Sequence, residues 1–301
     1  MTLYTQTDSN IRKTWLYLTG FLILVIGFGW VISVLLESWI VLWIAVIFSV
    51  LMSFFSYWYS DKIVLRLSRA REIKKQDSPE LYRLVENLCI TAGLPLPKIY
   101  IINEAQPNAF ATGRDKKHAV IAATRGLLEK LERSELEGVI AHELSHIGNK
   151  DMLLQTIVVI LGGVVAIMAN FFFRITFWGG MGSRGGREGG QIKIIMTLVA
   201  LFFALLAPLF ATLMKLAISR KREFLADASA GLLTRYPEGL ARALEKIASD
   251  PNPLKSVNDA TAHLYIASPL RGKEKKSWLH RLFMTHPPVE DRVKALRGMQ
   301  V

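Results

Sequence analysis

Cysteine is almost absent: Cys89 is the single one in 301 residues. That excludes an internal disulfide framework, a four-thiolate zinc site and an iron–sulfur cluster. Charge is also scarce, at 21% of residues against 51% hydrophobic, and the mean hydropathy is +0.29. Disordered chains are charged and poor in apolar residues, and ordinary soluble domains seldom average positive hydropathy, so both classes are set aside. Acidic residues are the scarcer sign, 25 against 37 basic, for a formal charge of +12. A basic surplus suits nucleic acid or an anionic membrane surface, and the placement of the charges decides between them.

Four long apolar runs carry the hydropathy: Trp15–Leu36, Trp39–Tyr59, roughly Leu153–Trp178, and Ile192–Ile218. The first has no charge and as a helix would reach about 33 Å, enough for a ~30 Å hydrocarbon core. It is too long for a signal peptide, and no small-residue cleavage site separates it from the second run, so it reads as an anchor. Trp and Tyr near the ends of the first two runs suit membrane interfaces. Asn170, Arg174 and Pro208 interrupt the later pair, which leaves a re-entrant or protein-packed hairpin open.

Arg12 and Lys13 precede the first run, six Lys and Arg follow the second (Lys62, Arg66, Arg69, Arg71, Lys74, Lys75), and Lys215, Arg220, Lys221 and Arg222 cluster at the end of the fourth. The positive-inside rule therefore predicts cytoplasmic termini and a cytoplasmic segment between the hairpins. Juxtamembrane charge points to anionic lipid rather than nucleic acid, for which no binding motif is present. The glycine-rich stretch Gly179–Gly190 lacks the Gly-Lys-Ser/Thr ending of a phosphate loop and reads as a hairpin tip.

The expected organisation is a transmembrane hairpin at 1–59, a first non-membrane segment at 60–152, a second hydrophobic hairpin at 153–218 and a second non-membrane segment at 219–301. Segments 60–152 and 219–301 are long enough together for one core. Ser78-Pro79 opens a helix with Leu81, Leu84, Val85 and Leu88 on one face, closed at Gly93. Cys89 at its end reads as a small buried hydrophobe. Strand-like runs follow at Lys98–Ile102, Asn108–Thr112 and His118–Ala122, then a short helix at about Arg125–Leu131.

His142-Glu143-Leu144-Ser145-His146 carries the chemistry. On a helix the two histidines sit one turn apart on one face, where both imidazoles reach one zinc ion and Glu143 reaches a water activated there. Ser134 and Glu137 form a capping-box pattern ahead of Leu136, Val139, Ile140, Leu144 and Ile147, which predicts that helix. A catalytic zinc wants a third protein ligand and one open position. Glu223 is the best candidate, in Arg220-Lys-Arg-Glu-Phe-Leu-Ala-Asp227, with Asp227 placed to accept a hydrogen bond from a ligand imidazole. Both motifs lie at the same end of the later hairpin, which would bring them together. His118, His263 and His280 have no partner pattern.

HELSH, SRKREFLADA, NAFATG, TAHLYIASPL and THPPVEDRVKALR together resemble the HtpX family of integral-membrane zinc metalloproteases, relatives of the CAAX prenyl proteases, over essentially the whole chain. The resemblance implies one zinc per chain held by His142, His146 and Glu223, with Glu143 as the catalytic carboxylate. It further implies that Asp227, His286 and Arg292 line the site, and that Asn108, Ala109, Phe110, Ala111 and Thr112 form an edge strand along which substrate adds as a strand. His286 is the candidate for stabilising the tetrahedral intermediate, with Arg292 orienting it or nearby carboxylates. The alternative for His286 is a turn residue stiffened by Pro287 and Pro288.

The implied fold is a mainly α membrane protein with four hydrophobic helices and a cytoplasmic zincin-like α+β protease domain containing a small edge-stranded sheet. The implied activity is cleavage of misfolded or damaged membrane proteins at the cytoplasmic face of the plasma (inner) membrane, with the lipid bilayer as the other partner and no nucleic acid. Competing readings are a prenyl-protein peptidase, an intramembrane site-2-type protease and a non-enzymatic scaffold or chaperone. A transporter fits less well, because the ionisable cluster lies outside the apolar runs.

Overall fold

The computed structural model describes residues 3–178, 194, 197–206, 209, 212, 220–251 and 287–300. His286, His263, His280, the glycine-rich stretch and TAHLYIASPL lie outside these residues. Helix α1 (Leu3–Leu35) begins three turns before the first apolar run and carries through Arg12 and Lys13. It packs against α2 (Trp39–Trp58) across a tight turn. Among the described residues three helical segments are long and apolar enough to cross a membrane: Ser9–Leu35, Trp39–Trp58 and Asp151–Ala169, the last within α7 (Asp151–Trp178). Of the fourth apolar run, the described part is chiefly α8 (Thr197–Leu206).

The spans differ in what they face. Trp39, Ile40, Trp43, Ile44, Ile47 and Phe54 of α2 are exposed, an apolar surface suited to lipid. The first half of α7 is buried instead: Ile157, Leu161 and Val165 pack with Leu18, Phe21 and Val25 of α1 and with Phe203 and Leu206 of α8.

Past α2 the chain runs through α3 (Ser60–Leu67), β1 (Arg71–Glu72), α4 (Pro79–Ala92), β2 (Lys98–Ile102), β3 (Ala109–Thr112), a 3₁₀ turn (Lys116–His118), β4 (Val120–Thr124) and α5 (Arg125–Lys130). Gly93 ends α4 in the left-handed region, at φ +63°. The sheet order is β1-β2-β4-β3, with β2 and β4 parallel and β3 antiparallel to β4 at the edge. The predicted third strand starts two residues late, at Val120, because Asp115 accepts from the backbone N–H groups of Lys117 and His118 and winds that stretch into the 3₁₀ turn. Every residue of β4 is buried, as befits a central strand covered on both faces.

One face of the sheet (Ile99, Ile121, Ala123) packs on α4, on α6 (Arg133–Gly148), and through them on α10 (Pro237–Ser249) and α11 (Val289–Arg297). The other (Ile102, Phe110, Val120, Ala122) packs on Val64 and Leu65 of α3 and on Leu154 and Val158 of α7. The sheet thus sits between the core of α4, α6, α10 and α11 on one side and α3 and α7 on the other. Helix α9 (Arg220–Thr234) closes the core against α6.

The cap of α6 lies two residues earlier than the sequence pattern indicates. Glu135 accepts the Glu132 N–H at 2.8 Å, and its buried carboxylate also receives Lys246 of α10 at 2.8 Å. Glu137 stays on the surface beside Arg133. Burial and a cross-helix partner favour Glu135 over Glu137 as the capping residue. Helix α6 then approaches α10 closely: a β-carbon on Gly138 would stand 2.7 Å from the Leu240 nitrogen.

Candidate metal centre

Helix α6 presents His142 and His146 one turn apart, and α9 crosses to present Glu223. His142 Nε2 and His146 Nε2 are 3.2 Å apart, and they lie 3.8 and 3.6 Å from the Glu223 oxygens. Zinc–ligand bonds of about 2.0–2.1 Å at tetrahedral angles put ligand atoms about 3.4 Å apart. The three donor atoms therefore have the spacing that a single tetrahedral ion demands, and all three side chains are buried. They form the one group of this kind among the described residues. A His₂Glu donor set of this spacing fits zinc.

Each imidazole turns Nε2 inward and has a carboxylate behind Nδ1. Asp227, one turn along α9 from Glu223, faces His142 Nδ1 at 2.9 Å. Asp151, the first residue of α7, faces His146 Nδ1 at 3.3 Å. A carboxylate at Nδ1 keeps the proton there, leaves the Nε2 lone pair for a metal and fixes the ring plane. Lys150 adopts the left-handed region at φ +55°, reversing the chain just past α6 so that Asp151 returns to His146.

Arg292 comes from α11 and is fully buried. It holds Asp227 with two bonds, Nε to Oδ2 at 2.8 Å and Nη2 to Oδ1 at 2.6 Å, and its Nη1 lies 3.8 Å from Glu223. Burial works against both charges of this pair. Their mutual attraction outweighs it, holding Asp227 below the usual carboxylate range and Arg292 above the usual guanidinium range. Burial likewise opposes charge on His146, but Asp151, Glu223 and Glu143 override it and push the ring up to about 9. The surroundings of the His146 ring favour positive charge.

Glu143 is buried beside the ligands, and burial holds its carboxyl above the usual range, against the pull of His142 and His146. It accepts a hydrogen bond from the Ala111 N–H of β3, which ties the edge strand to the site. Asn108 O accepts from Thr124 N at 2.9 Å, so the alternation of an antiparallel pair turns the backbone groups of Ala109 and Ala111 away from β4. Gly113 ends the strand at φ +136°, where a β-carbon would collide with His118 O.

The structure brings together His142, His146, Glu223, Glu143, Asp227 and Arg292, with Ala109–Thr112 alongside. His286 lies outside the described residues, and His118 sits in the 3₁₀ turn bonded to Asp115. Asp151 was not indicated by the sequence reading. Its only signal is its position five residues past His146, at the mouth of an apolar run. Helix α6 lies outside the three candidate spans, contrary to the intramembrane-protease alternative.

Residues 75–300 match peptidase family M48. The chain is 43% identical over 300 residues to a protease HtpX homolog of Dictyoglomus thermophilum, covering 99% of this chain and 95% of that one. It is 41% identical to a protease HtpX homolog of Thermoanaerobacter pseudethanolicus, covering 99% and 98%. Among solved structures, S. mikatae Ste24p shares the fold, with a TM-score of 0.50 and 20% identity over 95% of this chain and 67% of that one.

Proposed function

Because the chain belongs to peptidase family M48 and is a membrane-anchored metalloprotease, we propose that its metal is zinc, held by His142, His146 and Glu223, and that Glu143 is the catalytic base. The observation that carries this reading is the 3.2–3.8 Å spacing of three buried donor atoms. Zinc, when bound, supplies Lewis-acid polarisation of a water and of the scissile carbonyl.

The remaining chemistry belongs to side chains. Glu143 takes a proton from the attacking water and returns it to the leaving amine. Asp227 and Asp151 hold the imidazole rings, while Arg292 compensates the buried charge of Asp227. His286 is retained as the proposed donor to the tetrahedral intermediate. Substrate adds along β3 through the backbone groups of Ala109 and Ala111 that face away from β4, taking the place of the Asn108 side chain at the Ala109 N–H. Strand addition reads main chain rather than side chains and so suits unfolded segments of damaged membrane proteins. The distribution of Lys and Arg supports a cytoplasmic protease domain in the plasma membrane.

The test is to purify the protein metal-free in detergent, add zinc, and compare casein cleavage by the wild type and Glu143→Gln. Zinc-dependent cleavage by the wild type and a loss of at least about 100-fold in the variant are expected for a missing general base. Equal cleavage by both would contradict the assignment.

A further inference from the structure

Asn10 lies on α1, five residues before the first apolar run begins at Trp15, and is 3% exposed. Its side-chain amide is fully engaged. Nδ2 donates to Asp151 Oδ1 at 2.6 Å and to the Asn149 carbonyl at 3.4 Å. Oδ1 accepts from Arg222 Nη1 at 2.8 Å. Asp151 uses its other oxygen to hold His146 Nδ1, and Arg222 immediately precedes Glu223 in α9. One amide on the membrane anchor therefore touches the residue behind one proposed metal ligand and the neighbour of another.

The chemistry of the position is selective. A carboxylate on one side needs a donor and a guanidinium on the other needs an acceptor, and Asn offers both on separate atoms of one planar amide. Aspartate would set a second carboxylate against Asp151, and leucine would leave Asp151 and Arg222 without this partner in a buried place, which is costly for charged groups. Thr14, one turn on, is buried too but bonds back to the Asn10 carbonyl within α1 and makes no link to α7 or α9 through that hydroxyl.

We infer that Asn10 is a positioning residue of the metal centre, through which docking of the N-terminal membrane helix fixes Asp151 against His146 and Arg222 beside Glu223. The inference rests on the reading of His142, His146 and Glu223 as zinc ligands. It makes metal affinity depend on a residue of the anchor, so the site is fully formed only with α1 in place.

The test uses the full chain in detergent, with zinc affinity measured by competition against a chromogenic chelator and the ligand field read from the visible spectrum of the cobalt-substituted protein. Asn10→Leu is expected to weaken zinc binding by about 10-fold or more, as loss of partners to ligand imidazoles does, and to alter the cobalt spectrum. Asn10→Asp keeps the shape and the Arg222 contact but not the donor to Asp151. It is expected to weaken zinc as well, and it serves if the leucine variant does not fold. Thr14→Ala is expected to bind zinc as the wild type does. A role in packing alone would lower the melting temperature of the metal-free variants without moving zinc affinity or the cobalt spectrum. Unchanged affinity and spectrum in both Asn10 variants would overturn the inference. If His146→Ala takes up zinc as tightly as the wild type, the reading of the metal centre fails first and this inference falls with it.

Discussion

Asp227 stands between His142 and a fully buried Arg292, so its two neighbours make different demands on it. Toward His142 it acts as an acceptor that orients a ring; toward Arg292 it is the counter-charge. Asp227→Asn keeps the shape and one acceptor, and is expected to lower zinc affinity by about 10- to 100-fold, measured by chelator competition. Arg292→Leu removes the guanidinium and leaves a buried carboxylate, a change that costs about 3–5 kcal/mol when a buried pair loses one partner. A clearly lower melting temperature in detergent is expected, and an unchanged one would mean the pair is not buried as described. Cys89 makes the opposite point. It is buried on α4, and burial pushes its thiol up to about 11, so it stays protonated near neutral pH. Slow reaction with a disulfide reagent at pH 8 and full activity of Cys89→Ala are expected. Rapid labelling would show that α4 is not packed over it.

At the scale of elements, α6 is the part on which the site depends most, and its seat is set by close packing. Gly138→Ala would place a methyl group against the Leu240 backbone, and overpacking of this kind costs about 1–3 kcal/mol. Lowered thermal stability with weaker zinc retention is expected, since α6 carries both histidines. In β3, Ala109→Pro removes a backbone N–H that faces away from β4 and leaves the ladder intact. Reduced casein cleavage at unchanged zinc content is expected; full cleavage would remove the strand-addition proposal. The helices α4 and α6 and the strands β2 and β3 were legible because periodicity and turn residues are local signals. The start of β4 was not, since a side chain–backbone turn at Asp115 competes with the strand. The cap of α6 differs from the sequence pattern because Ser134/Glu137 overlaps the Glu132/Glu135 pair that forms the box, and the partner Lys246 on α10 separates them. Asp151, Arg222 and Asn10 were invisible for a related reason. Each is an ordinary polar residue with no local pattern around it, and only the packing of α1, α7 and α9 brings them together.

On the scale of the whole molecule, the sheet is shared between two environments. One face belongs to the core of α4, α6, α10 and α11 and the other lies on α3 and α7, so the membrane helices are part of the scaffold of the metal centre rather than a tether. Glu223 and Arg292 are distant in sequence from His142 and enter the site from α9 and α11. The four-residue spacing of Glu223 and Asp227 at the end of the later apolar pair indicated Glu223 in the sequence, whereas Arg292 was indicated by the family resemblance alone. The proposed centre holds one metal ion among His142, His146 and Glu223, with Glu143 acting beside it without holding it. The most direct test is the zinc content of the purified protein beside that of Glu143→Gln and Glu223→Ala, by elemental analysis after removal of loosely bound metal. One zinc per chain in the wild type and in Glu143→Gln, with little or none in Glu223→Ala, is the expected result. Full zinc in Glu223→Ala, or none in the wild type, would contradict it.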